Sequence, residues 1–334
     1  MKITHILLAL MLLVVTSGCG TASTPTSPTP GGTVSPKESM PVQAAANPDA
    51  VTEKTIKHAM GTATLKKTPV RVVYLYQSMN DIGAALGVKP VGAVQSTDQK
   101  PWFKYLGDMS GVTNLGDEGQ PNVEAIVALK PDLIFATKVR HEKIYAQLEA
   151  IAPTLVTEDL ADWKGNLQLA ADALGKKDKA ATFTDDFNKR VADFKNKMGS
   201  KLATTEVSLI RIQKDNSVKI YIEGFPGLFL RDIGFPVPKA QQVKYSGSGL
   251  DILSKEHIPQ FDGDYIFDIT TALPGQENVP KLHEEWSAHP LWKELKAVKN
   301  NKYFKVDPIT WNFGAGPLAA KAMLDDMFKY FALQ

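Results

Sequence analysis

The sequence predicts an α/β protein with two lobes, each with a mainly parallel sheet flanked by helices, joined by one long spine helix. Three observations lead to this prediction. Runs of β-branched and aromatic residues alternate with amphipathic helical stretches along most of the chain. A long helical segment lies near the middle, and one helix-into-strand unit occurs twice. Strands that alternate with helices favour a parallel sheet covered by helices on both faces.

The chain begins with a predicted lipoprotein signal peptide, MKITHILLALMLLVVTSGCG, assigned to residues 1–18. Lys2 gives a charged start, and the apolar run of about ten residues that follows suits a secretory signal better than a membrane span. Small residues then lead to Cys19, the only cysteine of the chain. The arrangement resembles a bacterial lipobox, although Thr16 stands where that family prefers leucine. We expect cleavage before Cys19, a lipid on Cys19, and a location on the extracytoplasmic face of the cell membrane.

Residues 19–50 are predicted to form a flexible tether that starts at the lipidated cysteine. Ser, Thr, Pro, Gly and Ala dominate this stretch, which is too polar to build a core. The whole chain has 38 basic and 36 acidic residues, a formal net charge of +2, and no long basic run. This balance argues against nucleic acid as a partner.

The first lobe is assigned to residues 51–175, where strand and helix signals alternate. Their order is strand RVVYLY, helix SMNDIGAAL ending at Gly87, strand PVGAV, helix PNVEAIVAL capped by Asn122, strand PDLIFAT, helix HEKIYAQLEAI, strand PTLVTE and helix DWKGNLQLAADALG. This order predicts a parallel sheet with helical crossovers.

The spine helix is assigned to residues 176–200. An apolar residue recurs every three or four positions along it, at Ala180, Phe183, Phe187, Val191 and Phe194. That spacing predicts one buried helix face. At about 1.5 Å per residue, a helix of this length spans ~35 Å, enough to reach from one lobe to the other.

The second lobe is assigned to residues 201–334. Strands EVSLIRI and SVKIYIE are predicted to pair through a turn at Asp215 and Asn216. Helix PGLFLRDIG, strands YIFDIT and KYFKVD, and the amphipathic helix PLAAKAMLDDMFKYFAL follow. The second lobe therefore repeats the architecture of the first.

One sequence unit appears once in each lobe. EAIVALKPDLIF at residues 124–135 matches EHIPQFDGDYIF at residues 256–267, at a constant offset of 132 residues (256 minus 124). The matched positions include two glutamates, two isoleucines and two aspartates. Glu124 and Glu256 each open the unit, close to the start of a predicted helix. An acidic residue in a first turn is favoured by the helix dipole, which explains each glutamate alone but not the matched pair.

The sequence shows no enzymatic machinery. YSGSGL lacks the spacing of a hydrolase nucleophile elbow, and NFGAGP is neither a P-loop nor a dinucleotide fingerprint. None of the six histidines forms the i, i+4 pair of a helical metal site. We therefore predict a protein that is not an enzyme and that has neither catalytic residues nor a dedicated metal site.

The whole chain from Cys19 onward resembles the class III substrate-binding proteins of ABC importers, most closely the ferric-siderophore and ferric-citrate binding lipoproteins of Gram-positive bacteria. The segments that carry the resemblance are GQPNVEAIVALKPDLIF, RHEKIYAQLEAIAPTL, WKGNLQLAADALGK, LSKEHI and WNFGAGPLAAKAMLDDM. The resemblance implies a ligand held in a shallow cleft between the lobes and small closure movements. Haem-binding and cobalamin-binding proteins share this fold, so they remain alternatives, as does a surface sensor or adhesion module that transports nothing.

A ferric siderophore is large, polar and commonly anionic, so the cleft should offer fixed cations. Arginine suits this task because it stays charged and presents a planar fork to oxygen ligands. Arg140 follows the strand PDLIFAT, at the strand end where ligands collect in parallel sheets. Relatives place ligand-contacting arginines at the positions of Arg140 and Arg211. Lys138 lies close to Arg140 in the sequence and could add charge.

Aromatic residues at element ends complete the predicted ligand site. Four candidates stand at the ends of predicted elements: Trp163, Tyr221, Trp311 and Tyr76. The competing explanation for each is core packing, which accounts for most large aromatics in a domain.

The resemblance also implies how iron and the membrane partner are handled. Iron would arrive already chelated, so the protein needs no cofactor of its own. For haem or cobalamin instead, Tyr221, Tyr76 or His141 could ligate the metal directly. In relatives, glutamates at the positions of Glu124 and Glu256 dock onto arginines of the dimeric ABC permease.

Overall fold

The computed structural model describes residues 53–333, so the predicted signal peptide, Cys19 and the whole predicted tether lie outside the described residues. Between residues 53 and 175 the chain forms, in order, β1 (Lys54–His58), β2 (Gly61–Leu65), β3 (Val72–Tyr74), α1 (Gln77–Leu86), β4 (Gly92–Ala93), β5 (Thr113–Asn114), β6 (Gly116–Asp117), β7 (Gln120–Pro121), α2 (Val123–Leu129), β8 (Leu133–Thr137), α3 (Lys138–His141), α4 (Tyr145–Glu149), β9 (Thr154–Thr157) and α5 (Trp163–Ala173).

The spine and the second half follow. Their elements are α6 (Lys177–Met198), β10 (Val207–Ile212), β11 (Val218–Tyr221), α7 (Gly224–Ile233), β12 (Gly249–Ile252), β13 (Tyr265–Asp268), α8 (Val279–Ser287), α9 (Pro290–Glu294), α10 (Lys296–Lys299), β14 (Tyr303–Lys305) and α11 (Pro317–Tyr330). Short 3-10 segments lie at Lys104–Leu106, Glu142–Ile144, Gly199–Thr204, Lys239–Gln241 and Lys255–Phe261, and a π-helical turn at Ile309–Phe313.

Two five-stranded sheets lie on opposite sides of α6 in the sequence. The first has the order β5-β4-β3-β8-β9 and every neighbouring pair in it is parallel. The second has the order β12-β11-β10-β13-β14; β10, β13 and β14 run parallel, and β11 is antiparallel to both of its neighbours. The predicted α/β fold class is confirmed, with the second sheet mixed because a hairpin joins β10 to β11.

Local chemistry fixes several predicted boundaries. Gly87 ends α1 with a φ of 66°, a left-handed conformation that favours glycine. The Asn122 side chain caps α2 by accepting a hydrogen bond from the Ala125 N–H at 2.9 Å. Asn216, with a φ of 65°, turns the β10–β11 hairpin. The predicted helix HEKIYAQLEAI is instead broken into α3, a 3-10 turn and α4.

The short strands β5, β6, β7 and β12 and the helices α8 to α10 were not predicted from the sequence. Two further elements were also not predicted. One is the β1–β2 hairpin, whose strands pair from Lys54 with Leu65 to His58 with Gly61. The other is the π-helical turn before α11, where the sequence suggested only a glycine-rich loop. None of the helices within residues 53–333 combines the length and apolar character that a membrane span requires.

The spine helix buries the face that its sequence predicts. Ala180, Phe187 and Phe194 are buried, and Phe183 and Val191 are partly buried against the same cluster. This cluster joins one face of each sheet through the helices between them. Arg190 on the spine forms an ion pair with Asp325 of α11 instead of lying free in solvent. Residues 53–333 all fall within one compact unit.

A buried carboxylate ties α1 to the start of α11. Asp81, fully buried, accepts hydrogen bonds from the backbone N–H groups of Leu318 at 2.8 Å and Ala319 at 3.0 Å. The Tyr105 hydroxyl donates to the same carboxylate at 2.8 Å. A carboxylate at a helix N-terminus is favoured by the exposed N–H groups and the helix dipole. Asp81 therefore fixes the last helix, from the second half of the chain, against the first half.

A second buried carboxylate stabilises the β13 end of the second sheet. Asp268 accepts hydrogen bonds from the Thr270 N–H at 2.7 Å and from the Tyr303 hydroxyl, and it contacts His283 Nε2 at 2.9 Å. Burial alone would raise the pKa of Asp268, but these hydrogen bonds, led by the one from His283, hold that pKa below its ordinary value.

The repeated sequence unit makes the same contacts in both halves. Asp132 exchanges hydrogen bonds with the backbone of Arg71, which precedes β3: the Arg71 N–H donates to the carboxylate at 2.8 Å, and the Asp132 N–H donates to the Arg71 carbonyl at 2.9 Å. Asp264 does the same with Glu206, which precedes β10, at 2.9 and 2.8 Å. β3 and β10 are the parallel neighbours of the two repeated strands, so the aspartates align equivalent strand pairs.

Candidate functional site

A cleft of about 750 Å³ lies between residues from the two halves. The first half contributes Gln77, Ser78, Thr97, Glu118, Val139, Arg140, Asp159, Leu160 and Ala161. The second half contributes Tyr221, Gly224, Phe225, Gly247, Ser248, Asn312, Phe313 and Ala315. Its size falls in the usual range for small-molecule sites, roughly 300–1,000 Å³.

The N-terminus of α1 forms one wall of the cleft. α1 follows β3 directly, so its first residues lie at the carboxyl end of a central parallel strand. Its N-cap residue, Tyr76, makes no side-chain capping bond, and its first turn holds no acidic residue. Gln77 and Ser78 both line the cleft. Gln77 Oε1 and Ser78 Oγ are buried and have no hydrogen-bond partner among residues 53–333.

Glu118 and Arg140 meet on this wall. Glu118 lies in the short loop between β6 and β7, and its Oε2 accepts a hydrogen bond from the Gln77 N–H at 3.1 Å. Its Oε1 accepts from Arg140 Nε at 3.4 Å. The Arg140 side chain is 51% exposed, whereas that of Glu118 is 17% exposed. Burial raises the pKa of Glu118, and the Gln77 N–H and Arg140 oppose that rise.

His141 holds the β6–β7 loop through a hydrogen bond to the backbone of Glu118. Its Nδ1 accepts a hydrogen bond from the Thr137 N–H at 3.1 Å, so Nε2 carries the proton and donates to the Glu118 carbonyl at 2.9 Å. Burial lowers the pKa of His141, which keeps the ring neutral. Both ring nitrogens are therefore occupied, and neither is free to ligate a metal.

The opposite wall combines aromatic rings with a cation behind them. Tyr221 at the end of β11 and Phe313 in the π-helical turn line the cleft. The Arg211 guanidinium lies 5.2 Å from the centre of the Phe313 ring, and its Nη2 donates to Gln276 Oε1 at 3.3 Å. Arg211 Nε is buried without a partner in the described part of the chain. Arg211 thus contacts a residue of the cleft wall and is not itself among the lining residues.

The structure brings Arg140 and Tyr221 to the cleft, and Arg211 to its wall, but it does not bring Trp163, Trp311, Tyr76 or Lys138 there. Trp163 is buried against Phe187 of the spine, with ring centres 5.1 Å apart. Trp311 is buried at 4.6 Å from the Phe267 ring, and its Nε1–H donates to Asp326 at 2.8 Å.

Tyr76 and Lys138 each directly precede, in the sequence, a residue that lines the cleft. Tyr76 is fully buried, and burial raises the pKa of its hydroxyl. Lys138 forms an ion pair with Glu158 at 2.8 Å instead of lining the cleft. Their neighbours Gln77 and Val139 are the residues that line it, because the chain turns away from the core after each strand.

Several lining residues were missed by reasoning from the sequence. Gln77 and Ser78 could have been found, because the start of a helix after a parallel strand is a common ligand position. Phe313 lies two residues from the predicted Trp311, and only the π-helical turn decides which ring faces the cleft. Glu118 lies in a loop without periodic pattern, so nothing in the sequence marked it.

Glu124 and Glu256 share one further property. Both are exposed, in the first turn of α2 and of the 3-10 segment that follows Ser254. Ser254 stands at the N-cap position of this segment but makes no side-chain capping bond. Within residues 53–333, neither glutamate side chain forms a hydrogen bond or ion pair, so neither has a structural role there beyond the helix dipole.

A dedicated metal site is not found in the described part of the chain. Within residues 53–333, no three His, Cys, Asp or Glu side chains come together in a way that could hold a metal ion. The cleft does carry the groups that recognise a polar ligand from outside: one exposed guanidinium, three aromatic rings, and buried polar atoms at a helix N-terminus.

Comparison with known proteins gives consistent matches. A family model described as periplasmic binding protein matches residues 72–310. The Bacillus subtilis "Probable siderophore-binding lipoprotein YfiY" is 44% identical over 285 residues, covering 83% of this chain and 87% of that protein. The Fe(3+)-citrate-binding protein YfmC of the same organism is 30% identical over 275 residues, covering 80% of this chain and 83% of that protein.

A solved structure is similar to this chain with comparable sequence identity and coverage. The crystal structure of Staphylococcus aureus SirA complexed with staphyloferrin B is similar with a TM-score of 0.77 and 38% sequence identity. The match covers 84% of this chain and 98% of that one. The similarity therefore includes both sheets and the helices between them.

Proposed function

The chain belongs to the periplasmic binding protein family, and we propose that it captures a ferric siderophore or ferric citrate and delivers it to an ABC permease. The observation that carries this proposal is the cleft between the two halves, with Arg140 on one wall and Tyr221 and Phe313 on the other. Relatives at 44% and 30% identity are described as binding a siderophore and ferric citrate.

The cleft suits a ligand that is held by its surface. Arg140 can present its guanidinium to carboxylate, catecholate or hydroxamate oxygens, because half of the side chain is exposed. The rings of Tyr221 and Phe313 offer flat apolar contact, and Arg211 adds positive charge behind Phe313. Iron then remains bound by the chelator, and the protein supplies no metal ligand and no catalytic group.

Haem and cobalamin are the competing ligands in this fold. Direct ligation of their metal would require a free imidazole or phenol in the cleft. His141 has both nitrogens engaged and Tyr76 is buried in the core, so Tyr221 is the one sequence-predicted ligand that reaches the cleft. This arrangement favours an iron chelate over a macrocycle bound through its metal.

The proposed site of action is the extracytoplasmic face of the cell membrane. A lipid on Cys19 would anchor the protein, and residues 19–50 would tether the folded body. Glu124 and Glu256 would dock onto the permease dimer, one from each half of the protein. Their exposure and their lack of partners within the described chain support this role.

A titration of the purified protein by quenching of tryptophan fluorescence tests the proposal. The ligand panel contains ferric citrate, ferric hydroxamate, catecholate and carboxylate siderophores, haem and cobalamin. We expect saturable binding of at least one ferric chelate and weaker binding of the iron-free chelator. Tighter binding of haem or cobalamin than of every ferric chelate would refute the proposed ligand class.

A second experiment separates an importer from a surface sensor or adhesion module. Deletion of the protein should abolish uptake of the radioactive ferric chelate that the purified protein binds, and the intact chain should restore it. Unchanged uptake after deletion would mean that the protein binds the chelate but takes no part in its transport, as expected for a sensor or adhesion module.

A further inference from the structure

The Glu118 carboxylate occupies a position in the cleft that is built for an anion. It receives the Gln77 N–H of the α1 N-terminus at 3.1 Å and the Arg140 Nε–H at 3.4 Å. α1 is ten residues long and its own N-cap residue, Tyr76, supplies no side-chain cap, so its first N–H groups and the positive end of its dipole face this position. These are the features that commonly hold carboxylates and phosphates in proteins.

Unsatisfied buried groups at the same place indicate that Glu118 does not complete the site. Ser78 Oγ, with 2% of the residue exposed, and Gln77 Oε1, with 6% exposed, line the cleft and have no hydrogen-bond partner within residues 53–333. A buried polar atom without a partner is costly, so such atoms at a binding site indicate a group that arrives from outside. The Ser78 hydroxyl can donate and, beside an N–H and a guanidinium, fits an incoming oxygen anion. The Gln77 amide oxygen can only accept, so it fits a donor group of the ligand and not the anion itself.

Arg140 also has unused capacity. Its contact with Glu118 goes through Nε alone, and no contact of its two terminal nitrogens is found among the described residues. The planar fork of an arginine binds a carboxylate best through two parallel N–H groups. The two terminal nitrogens of Arg140 are therefore available to a carboxylate of the ligand.

We propose that the α1 N-terminus, Ser78 and Arg140 form a carboxylate-binding subsite, and that Glu118 holds the place of the ligand's carboxylate until the ligand arrives. This inference rests on the proposed function and narrows it to chelates that carry a free carboxylate or a carboxylate-bound iron. Two carboxylates cannot share one guanidinium and one helix N-terminus without repulsion, so ligand binding displaces the Glu118 side chain or neutralises it. Glu118 thereby lowers the affinity for anionic ligands, because its carboxylate competes with the ligand's carboxylate for Arg140 and the α1 N-terminus.

Removal of the Glu118 charge should therefore strengthen binding of anionic chelates. Glu118→Gln keeps the shape and can still accept the Gln77 N–H, but it no longer competes for Arg140 as an anion. Like charges this close interact strongly in a partly buried site, and we expect ferric dicitrate affinity to rise about 10- to 100-fold. An uncharged ferric trihydroxamate should change by less than about threefold, because it brings no second carboxylate.

The experiment compares four proteins against these two chelates: wild type, Glu118→Gln, Glu118→Ala and Glu294→Gln. Glu294 is an exposed glutamate that pairs with Lys299 far from the lining residues, and its variant controls for the loss of one negative charge. Circular dichroism and thermal unfolding check the fold. Tighter ferric dicitrate binding by both Glu118 variants, with the uncharged chelate and the control unchanged, is the expected result.

Three other outcomes would each overturn the inference. Equal effects on the two chelates, or no effect, would mean that Glu118 does not compete for an anion position, while the proposed function stands. Weaker ferric dicitrate binding by both variants would make Glu118 a residue that positions Arg140. Absence of ferric dicitrate binding by all four proteins would refute the inference, whereas the proposed function fails only if no ferric chelate of the whole panel binds.

Discussion

Replacement of Glu124 and Glu256 by alanine should separate transport from ligand binding. Both side chains are exposed and have no partner within residues 53–333, and neither lines the cleft. Their removal should therefore leave the ligand dissociation constant unchanged within about twofold, since no contact to the cleft is lost. If the two glutamates dock onto permease cations, uptake should nevertheless fall strongly.

The structure limits how much stability these substitutions can remove. Glu124 lies in the first turn of α2, where a carboxylate contributes roughly 0.3–1 kcal/mol through the helix dipole. Glu256 lies on a 3-10 segment of seven residues without a side-chain cap, so its contribution belongs at the low end of that range. Even the double variant loses no more than about 2 kcal/mol, and a domain with a typical 5–15 kcal/mol of stability remains folded.

The predicted loss in docking is larger. Removing one partner of a charge-assisted hydrogen bond costs about 1.5–3 kcal/mol, or roughly 10- to 150-fold in affinity. Each single variant should therefore slow uptake at limiting ligand, and the double variant should slow it most. The assay measures uptake of a radioactive ferric chelate in cells and its dissociation constant on the same purified variants.

Glu142→Ala is a matched control, because Glu142 is an exposed glutamate in the first turn of a 3-10 segment outside the repeated unit. Its uptake and ligand affinity should both equal those of the wild type. Wild-type uptake by the double variant would mean that Glu124 and Glu256 do not dock onto the permease and only stabilise the helix starts through the helix dipole. A parallel loss of ligand affinity would show that the glutamates act on the cleft instead of on the permease.

Three further predictions concern the anchor, the cleft and the fold. Cys19→Ala should release the protein from the membrane or leave it uncleaved, and identical fractionation of both proteins without fatty-acid labelling of either would disprove the anchor. Arg140→Ala should weaken binding of an anionic ferric chelate about 10- to 150-fold, since a charge-assisted fork is lost. Arg211→Ala, which acts through the Phe313 ring, should weaken it about 2- to 30-fold. Arg190→Ala, on the spine, is the control that should bind normally, and equal affinities of all three variants would contradict both arginine assignments. Asp268→Asn should lower the free energy of unfolding by about 1–3 kcal/mol at pH 7, measured by urea denaturation. The folded-state pKa of Asp268 lies below the unfolded value, so its stabilisation exists above the unfolded pKa and is lost as the pH falls through the folded one. The difference between wild type and variant should consequently shrink as the pH falls below the ordinary aspartate pKa of about 3.9, and a constant difference would contradict this assignment.

The sequence specified the elements better than it specified the cleft. Gly87 and Asn122 ended and capped helices as predicted because their conformation and hydrogen bonds depend on neighbours a few residues away. The spine was predictable because its apolar spacing reports directly which face is buried. These are local effects, and a single sequence contains the information for them.

The choice of aromatic residues shows why the site was harder to predict. Trp163 and Trp311 stand at element ends, as cleft residues often do, yet both lie in the core. A single π-helical turn places Phe313 in the cleft and Trp311 against Phe267. Which side of a short turn faces the ligand depends on packing between distant segments, and local spacing does not encode that.

The residues of the repeated unit and the residues that line the cleft form two separate sets. The unit's isoleucines, Ile126 and Ile258, are buried, and its aspartates align equivalent strand pairs in both sheets. Structural demand therefore accounts for these matched side chains but not for the two exposed glutamates. No residue of either copy of the unit lines the cleft. Ligand specificity can consequently change through residues such as Glu118, Arg140 and Phe313 while the unit that builds the sheets and presents the glutamates stays the same. If Glu124 and Glu256 dock onto a permease, as proposed, then a change of ligand specificity need not alter the docking residues.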